Sequence, residues 1–70
     1  MSYVVVIEKS SDNSYSAYVP DLPGCVAAGD TREEAAELIR EAISLHIESL
    51  KEHGEVVPPP AASTLTIDAA

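Results

Sequence analysis

Tryptophan and phenylalanine are absent from this chain, and its 70 residues include one cysteine, three glycines and four basic side chains. Each shortage excludes something. With no Trp or Phe, three tyrosines supply all the aromatic surface, so any core is built mainly from aliphatic side chains. The single cysteine, Cys25, has no partner for an internal disulfide, and a reducing, cytoplasmic setting is the expectation. The apolar run Val4 to Ile7 is far too short for a signal peptide or a membrane span, so no membrane attachment is expected. Four basic residues against twelve acidic ones leave a formal charge of -8. That is the wrong sign for gripping a phosphate backbone, which needs several neutralising Lys or Arg contacts, and direct nucleic-acid binding is not expected.

What is present argues for one small folded domain. The chain is 46% hydrophobic with five prolines, which is neither disordered nor low-complexity composition. A domain of this size buries only about 60% of the surface its unfolded form exposes, so its own core is marginal. The acidic surface suits solubility and rapid encounter with a basic partner.

Along the chain, Tyr3-Val4-Val5-Val6-Ile7 is a β-branched run that predicts a first strand, stopped by the turn cluster Ser10 to Ser14. Both of its faces are apolar. A one-sided sheet would leave one face polar, so either a second layer or another copy of the chain must cover Tyr3, Val5 and Ile7 as well as Val4 and Val6; the expectation adopted is a homo-oligomer, dimer or tetramer, with Tyr3, Val5 and Ile7 in its interface. Tyr15 to Val19 alternates and predicts a second strand in a hairpin with the first. Pro20-Asp21-Leu22-Pro23-Gly24 ends it, because neither proline donates to a ladder, and a third strand over Cys25 to Ala28 follows. Thr31 with Glu34 three residues on fits a capping box, so a helix runs from there to about His53. Its apolar positions Ala35, Leu38, Ile39, Ala42, Ile43, Ile47 and Leu50 form one stripe, and Gly54 is a natural stop.

Val56-Val57-Pro58-Pro59-Pro60 cannot continue a helix and predicts a stiff extended spacer. Thr64-Leu65-Thr66-Ile67-Asp68 alternates and predicts a last strand, on its own sheet or added to a neighbour's edge, which puts Leu65 and Ile67 in the expected interface. The fold class is therefore α+β, in the order β-β-β-α-β, with a three-stranded antiparallel sheet packed on one helix. Residues 1–54 make the domain and residues 55–70 the proline-rich segment and terminal strand.

No constellation carries obvious chemistry. Gly24 to Thr31 has the glycine spacing of a phosphate loop, but Asp30 stands where the lysine belongs and would repel phosphate. His46 and His53 are seven residues apart, about 10.5 Å of helix rise, too far to share one ion, so no metal or other cofactor is expected. Helix capping suits His53, and a half-buried position suits His46. Cys25 has no neighbouring base in sequence and reads as a small buried hydrophobe. A two-metal nuclease needs converging carboxylates, typically with one inside the first strand, and Tyr3 to Ile7 has none. A binding module remains. Its candidate contact residues are Asp21, Leu22 and Pro23 on the rigid loop and Glu37, Glu41 and Glu48 on the acidic helix face.

The joined pattern Tyr15-Ser16-Ala17-Tyr18-Val19-Pro20-Asp21-Leu22-Pro23-Gly24-Cys25, then Gly29-Asp30-Thr31, the pairs Glu34-Ala35 and Glu41-Ala42, and Gly54 ahead of prolines, resembles the HicB family of antitoxin-like proteins over about residues 3 to 60. The resemblance implies a partial ribonuclease-H-like fold without nuclease chemistry. It further implies an activity: binding and neutralising a small basic ribonuclease toxin of double-stranded-RNA-binding-domain fold in a bacterial type II toxin–antitoxin system. Typical full antitoxins of the family add a C-terminal ribbon-helix-helix or helix-turn-helix domain for operator DNA. Here 16 residues follow Gly54 with no Lys or Arg among them, so operator binding is not carried over. Two alternatives stay open: a solitary homo-oligomeric member with a structural or ligand-binding role, and a residual hydrolase.

Overall fold

The computed structural model describes residues 1–70. Strand β1 (Val6–Lys9) and strand β2 (Tyr15–Tyr18) form the hairpin, with Val6 opposite Tyr18 and Lys9 opposite Tyr15. The turn between them sets this register. Ser10 N–H donates to the Ser14 carbonyl at 2.8 Å and Asn13 N–H to the Ser10 carbonyl at 3.1 Å. Asn13 takes the left-handed conformation at φ 67°, which asparagine tolerates better than other residues with a Cβ. Strand β3 (Val26–Gly29) pairs antiparallel with β2, placing Ala27 opposite Ala17, and the sheet order is β1-β2-β3.

All three strands differ in their bounds from the sequence expectation; β2 ends at Tyr18 and not Val19, and the other two shifts have a visible cause. The first strand is paired over Val6–Lys9 and not Tyr3 to Ile7. Continuing the register back from Val6 and Tyr18 would set Val4 against Pro20, which has no N–H for the ladder, so pairing stops short of it. The third strand starts at Val26 because Cys25 N–H donates to the Leu22 carbonyl at 3.0 Å and closes the preceding turn instead.

Helix α1 (Arg32–Glu52) follows. Thr31 is its N-cap, with Oγ1 accepting from Glu34 N–H at 3.0 Å, and Glu33 and Glu34 sit at the positive end of the helix dipole. The other end is a Schellman arrangement: Glu55 N–H donates to the Leu50 carbonyl at 2.9 Å and Gly54 N–H to the Lys51 carbonyl at 3.1 Å, with Gly54 at φ 67°. His53 is the C-cap residue, and its ring Nδ1 lies 2.7 Å from the Ser49 carbonyl.

The helix packs on one face of the sheet, nearest β3 and least over β1. Gly29 permits this closeness, since a Cβ there would lie 2.8 Å from the Ala35 backbone nitrogen. Ala17, Val19, Leu22, Cys25, Ala35 and Ile39 are the buried core, with Tyr3, Val5, Ile7, Ala42, Ile43 and Ile47 packed around it. Burial pushes the Cys25 thiol pKa up, which keeps it protonated and unreactive. Thr64 to Asp68 forms no strand. A strand needs an edge to pair with, and within one chain this segment meets none.

Candidate functional site

The loop between β2 and β3 is built around a buried leucine. Leu22 N–H donates to the Val19 carbonyl at 3.1 Å, and the resulting turn drives the Leu22 side chain fully into the core. Leu22, expected as a contact residue, thus faces inward; its side chain is unavailable to a partner while the domain is folded. Pro23 and Gly24 are exposed at the loop tip, with Gly24 at φ 86°.

Asp21 is engaged with the chain's own tail. Its Oδ2 accepts from Ala61 N–H and Ala62 N–H, each at 3.0 Å. These bonds hold the Asp21 carboxyl below its ordinary pKa, the Ala62 bond contributing most and the Ala61 bond next. A second clasp joins the same segment to the stretch leading into β1, where the Tyr3 hydroxyl donates to the Pro58 carbonyl. Residues 57, 58, 60 and 62 are half-buried beneath these contacts. The polyproline stretch is thus a strap across the end of the sheet. Its prolines lock the extended conformation before docking; Tyr3 binds the Pro58 carbonyl, and Asp21 binds the N–H groups of Ala61 and Ala62, which follow the prolines. Sequence reasoning placed Asp21 at a functional loop but had no signal for its partners, which lie about forty residues away.

Glu37, Glu41 and Glu48 are all exposed. At 100° per residue they fall within about 40° of one another, on the side of α1 opposite Ala35 and Ile39. Glu37 makes an exposed ion pair with Arg40 at 2.7 Å, worth little in water, while Glu41 and Glu48 carry no such partner. Between the latter two, Ser44 and Leu45 complete a shallow open surface with Arg40 at its rim. Leu45 is 66% exposed. It is absent from the apolar stripe of the helix, and a leucine off the stripe among acids was the available signal.

Val5 and Ile7 point toward the helix and line a cavity of about 250 Å³ with Ala36, Ile39, Arg40 and Ile43. This cleft opens along β1, where the helix covers the sheet least. Leu65 and Ile67, expected beside Val5 and Ile7 in an interface, lie apart from them and are 83% and 75% exposed. On the opposite face of the sheet Val6, Tyr18 and Val26 form a row across the three strands, with Tyr18 and Val26 exposed.

His46 is half-buried on α1, and no three His, Cys, Asp or Glu side chains are grouped so that they could hold an ion. No helix is long and apolar enough to cross a membrane.

A family model described as the HicB-like antitoxin of bacterial toxin–antitoxin systems matches residues 3–69. A protein of Thermoplasma acidophilum named only as a UPF0150 protein is 46% identical over 69 residues, covering 99% of this chain and 100% of its own length. Antitoxin HicB 1 of Photorhabdus laumondii is 37% identical over 60 residues, which are 86% of this chain and 39% of that protein. The crystal structure of the N-terminal domain of Burkholderia pseudomallei antitoxin HicB superposes with a TM-score of 0.74 at 36% identity, covering 84% of this chain and 69% of that one.

Proposed function

The chain belongs to the HicB-like antitoxins of bacterial toxin–antitoxin systems, and from that premise we propose that it is a non-catalytic module that binds and neutralises a small basic ribonuclease toxin in the cytoplasm. The observation that carries this reading is the helix surface on which Leu45, 66% exposed, lies between Glu41 and Glu48, with Glu37 about two turns back on the same acidic face, in a chain of formal charge -8. An apolar anchor flanked by acids matches a basic partner, the charges raising the encounter rate and the leucine supplying buried area. Pro23 at the loop tip and Asp21 behind it form the second contact, with Leu22 holding the loop's shape from inside.

The test is capture of the small basic protein encoded beside this gene, followed by light scattering and titration. A stable mixed complex is expected. Glu37→Lys, Glu41→Lys and Glu48→Lys together should slow association, and Leu45→Asp should weaken binding about tenfold or more. Unchanged affinity in both variants would remove the helix surface from the contact, and failure to bind any such neighbour would remove the antitoxin role.

A second reading, self-association, is favoured by the open cleft of Val5 and Ile7 beneath an uncovered β1 edge. It is compatible with toxin binding, since the cleft and the acidic helix face are different surfaces.

A further inference from the structure

The core of this domain is closed on one side and open on the other. Because α1 lies nearest β3 and least over β1, the sandwich gapes along β1, leaving Val5, Ile7, Ala36, Ile39 and Ile43 around a cavity of about 250 Å³. β1 pairs only with β2, so its outer backbone edge has free N–H and C=O groups beside that cavity. The site asks for an occupant with two properties: an extended backbone that pairs with the edge, and two aliphatic side chains at alternate positions that enter the cleft.

The chain contains one segment with both properties and no use for them within the single molecule. Thr64-Leu65-Thr66-Ile67-Asp68 alternates strictly, yet it forms no strand, and its two aliphatic side chains are 83% and 75% exposed. The strap fixes where it begins. Pro58 is fixed by Tyr3 at the root of β1, and Ala61 and Ala62 by Asp21 in the β2–β3 loop. Past these anchors residues 63–70 are all exposed, and none of them lines the cleft at β1. An exposed arm whose alternation matches an unfilled cleft and a free strand edge fits that cleft on another copy.

We infer that residues 64–68 form an exchange arm: in a homo-oligomer each copy's arm adds as a fourth strand to the β1 edge of a second copy, with Leu65 and Ile67 seated among the second copy's Val5, Ile7, Ile39 and Ile43. The Asp21 and Tyr3 clasps fix the point at which the arm leaves its own domain. This inference rests on the self-associating reading above and is independent of any toxin.

The experiment measures the chain alone by light scattering over a dilution series, beside Leu65→Asp/Ile67→Asp. Both substitutions fall on exposed positions, so the domain itself stays folded, which its circular dichroism checks. The full chain should be an oligomer, and the double variant should raise the dissociation constant about tenfold or more. A chain that is monomeric at every concentration would overturn self-association and the arm together. An oligomer whose mass and dissociation constant ignore the double variant would overturn the arm while leaving self-association in place. As a second readout, copies carrying Ile43→Cys are mixed with copies carrying Leu65→Cys under mild oxidation by diamide; buried Cys25 does not compete. A disulfide between the two copies supports the arm, and its absence where the mixture is oligomeric overturns it.

Discussion

The Asp21 carboxylate accepts the Ala62 N–H at 3.0 Å across 41 positions of sequence, and the neighbouring Ala61 N–H binds the same oxygen. Two distant segments meet there, the loop after β2 and the end of the proline strap, while Tyr3 ahead of β1 holds the strap's start at Pro58. A residue type common at exposed turns has become the fastening of the tail.

Asp21→Ala should release the strap without unfolding the domain, because the core residues lie elsewhere. Amide exchange at Ala61 and Ala62 is expected to rise toward the rate of an unstructured peptide while Ala17 and Ile39 stay protected. Acid should do the same. The native pKa of Asp21 is depressed, so the clasp contributes fully above the ordinary aspartate value of about 3.9 and fades as the pH falls through the lower native value. Amide shifts of Ala61 and Ala62 that stay flat through that acid range would contradict the clasp.

Leu22 and Pro23 are neighbours with opposite duties. Leu22→Ala should cost about 2–5 kcal/mol of unfolding free energy, a large share of what so small a domain has, because it empties a fully buried position. Pro23→Ala, at an exposed loop tip, should cost under about 1 kcal/mol, chiefly through greater freedom of the unfolded chain. Urea unfolding of the two variants checks this, and equal losses would contradict the inward placement of Leu22.

Gly29→Ala should destabilise the domain by about 1–3 kcal/mol. The new Cβ would meet the Ala35 backbone nitrogen at 2.8 Å and the Glu34 side chain at 3.0 Å, and a helix backbone has little freedom to yield. The first turn of α1 should fray before the rest, visible as faster amide exchange at Ala35. Unaltered stability would show that helix and sheet can part at no cost.

Much of the architecture is legible locally. Thr31 and Glu34 mark the helix start because a cap hydroxyl and the N–H that it accepts are three residues apart. Gly54 marks its end because a left-handed residue is needed there. Ser10 to Ser14 marks the hairpin, and the proline pair around Leu22 ends β2. The strand ends were less legible: Val6 begins β1 because Pro20 on the facing segment offers no donor, and Val26 begins β3 because the local turn gives the Cys25 N–H to the Leu22 carbonyl.

The candidate site was legible only in outline. Glu37, Glu41 and Glu48 share a helix face by periodicity alone, so the sequence identified them together. Leu65 and Ile67 alternate as a strand would, but alternation says nothing about which edge receives them.

What the sequence by itself determined, then, is everything set by contacts within a few residues: the three strands, the capped helix, the acidic stripe and the stiff strap. Tertiary structure alone decided that Leu22 is core and not contact, that Asp21 holds Ala61 and Ala62, and that the open flank of the core lies along β1. Those outcomes depend on which distant segments share space. A hydrogen bond spanning 41 positions or a helix leaning toward one edge of a sheet has no local periodicity to announce it.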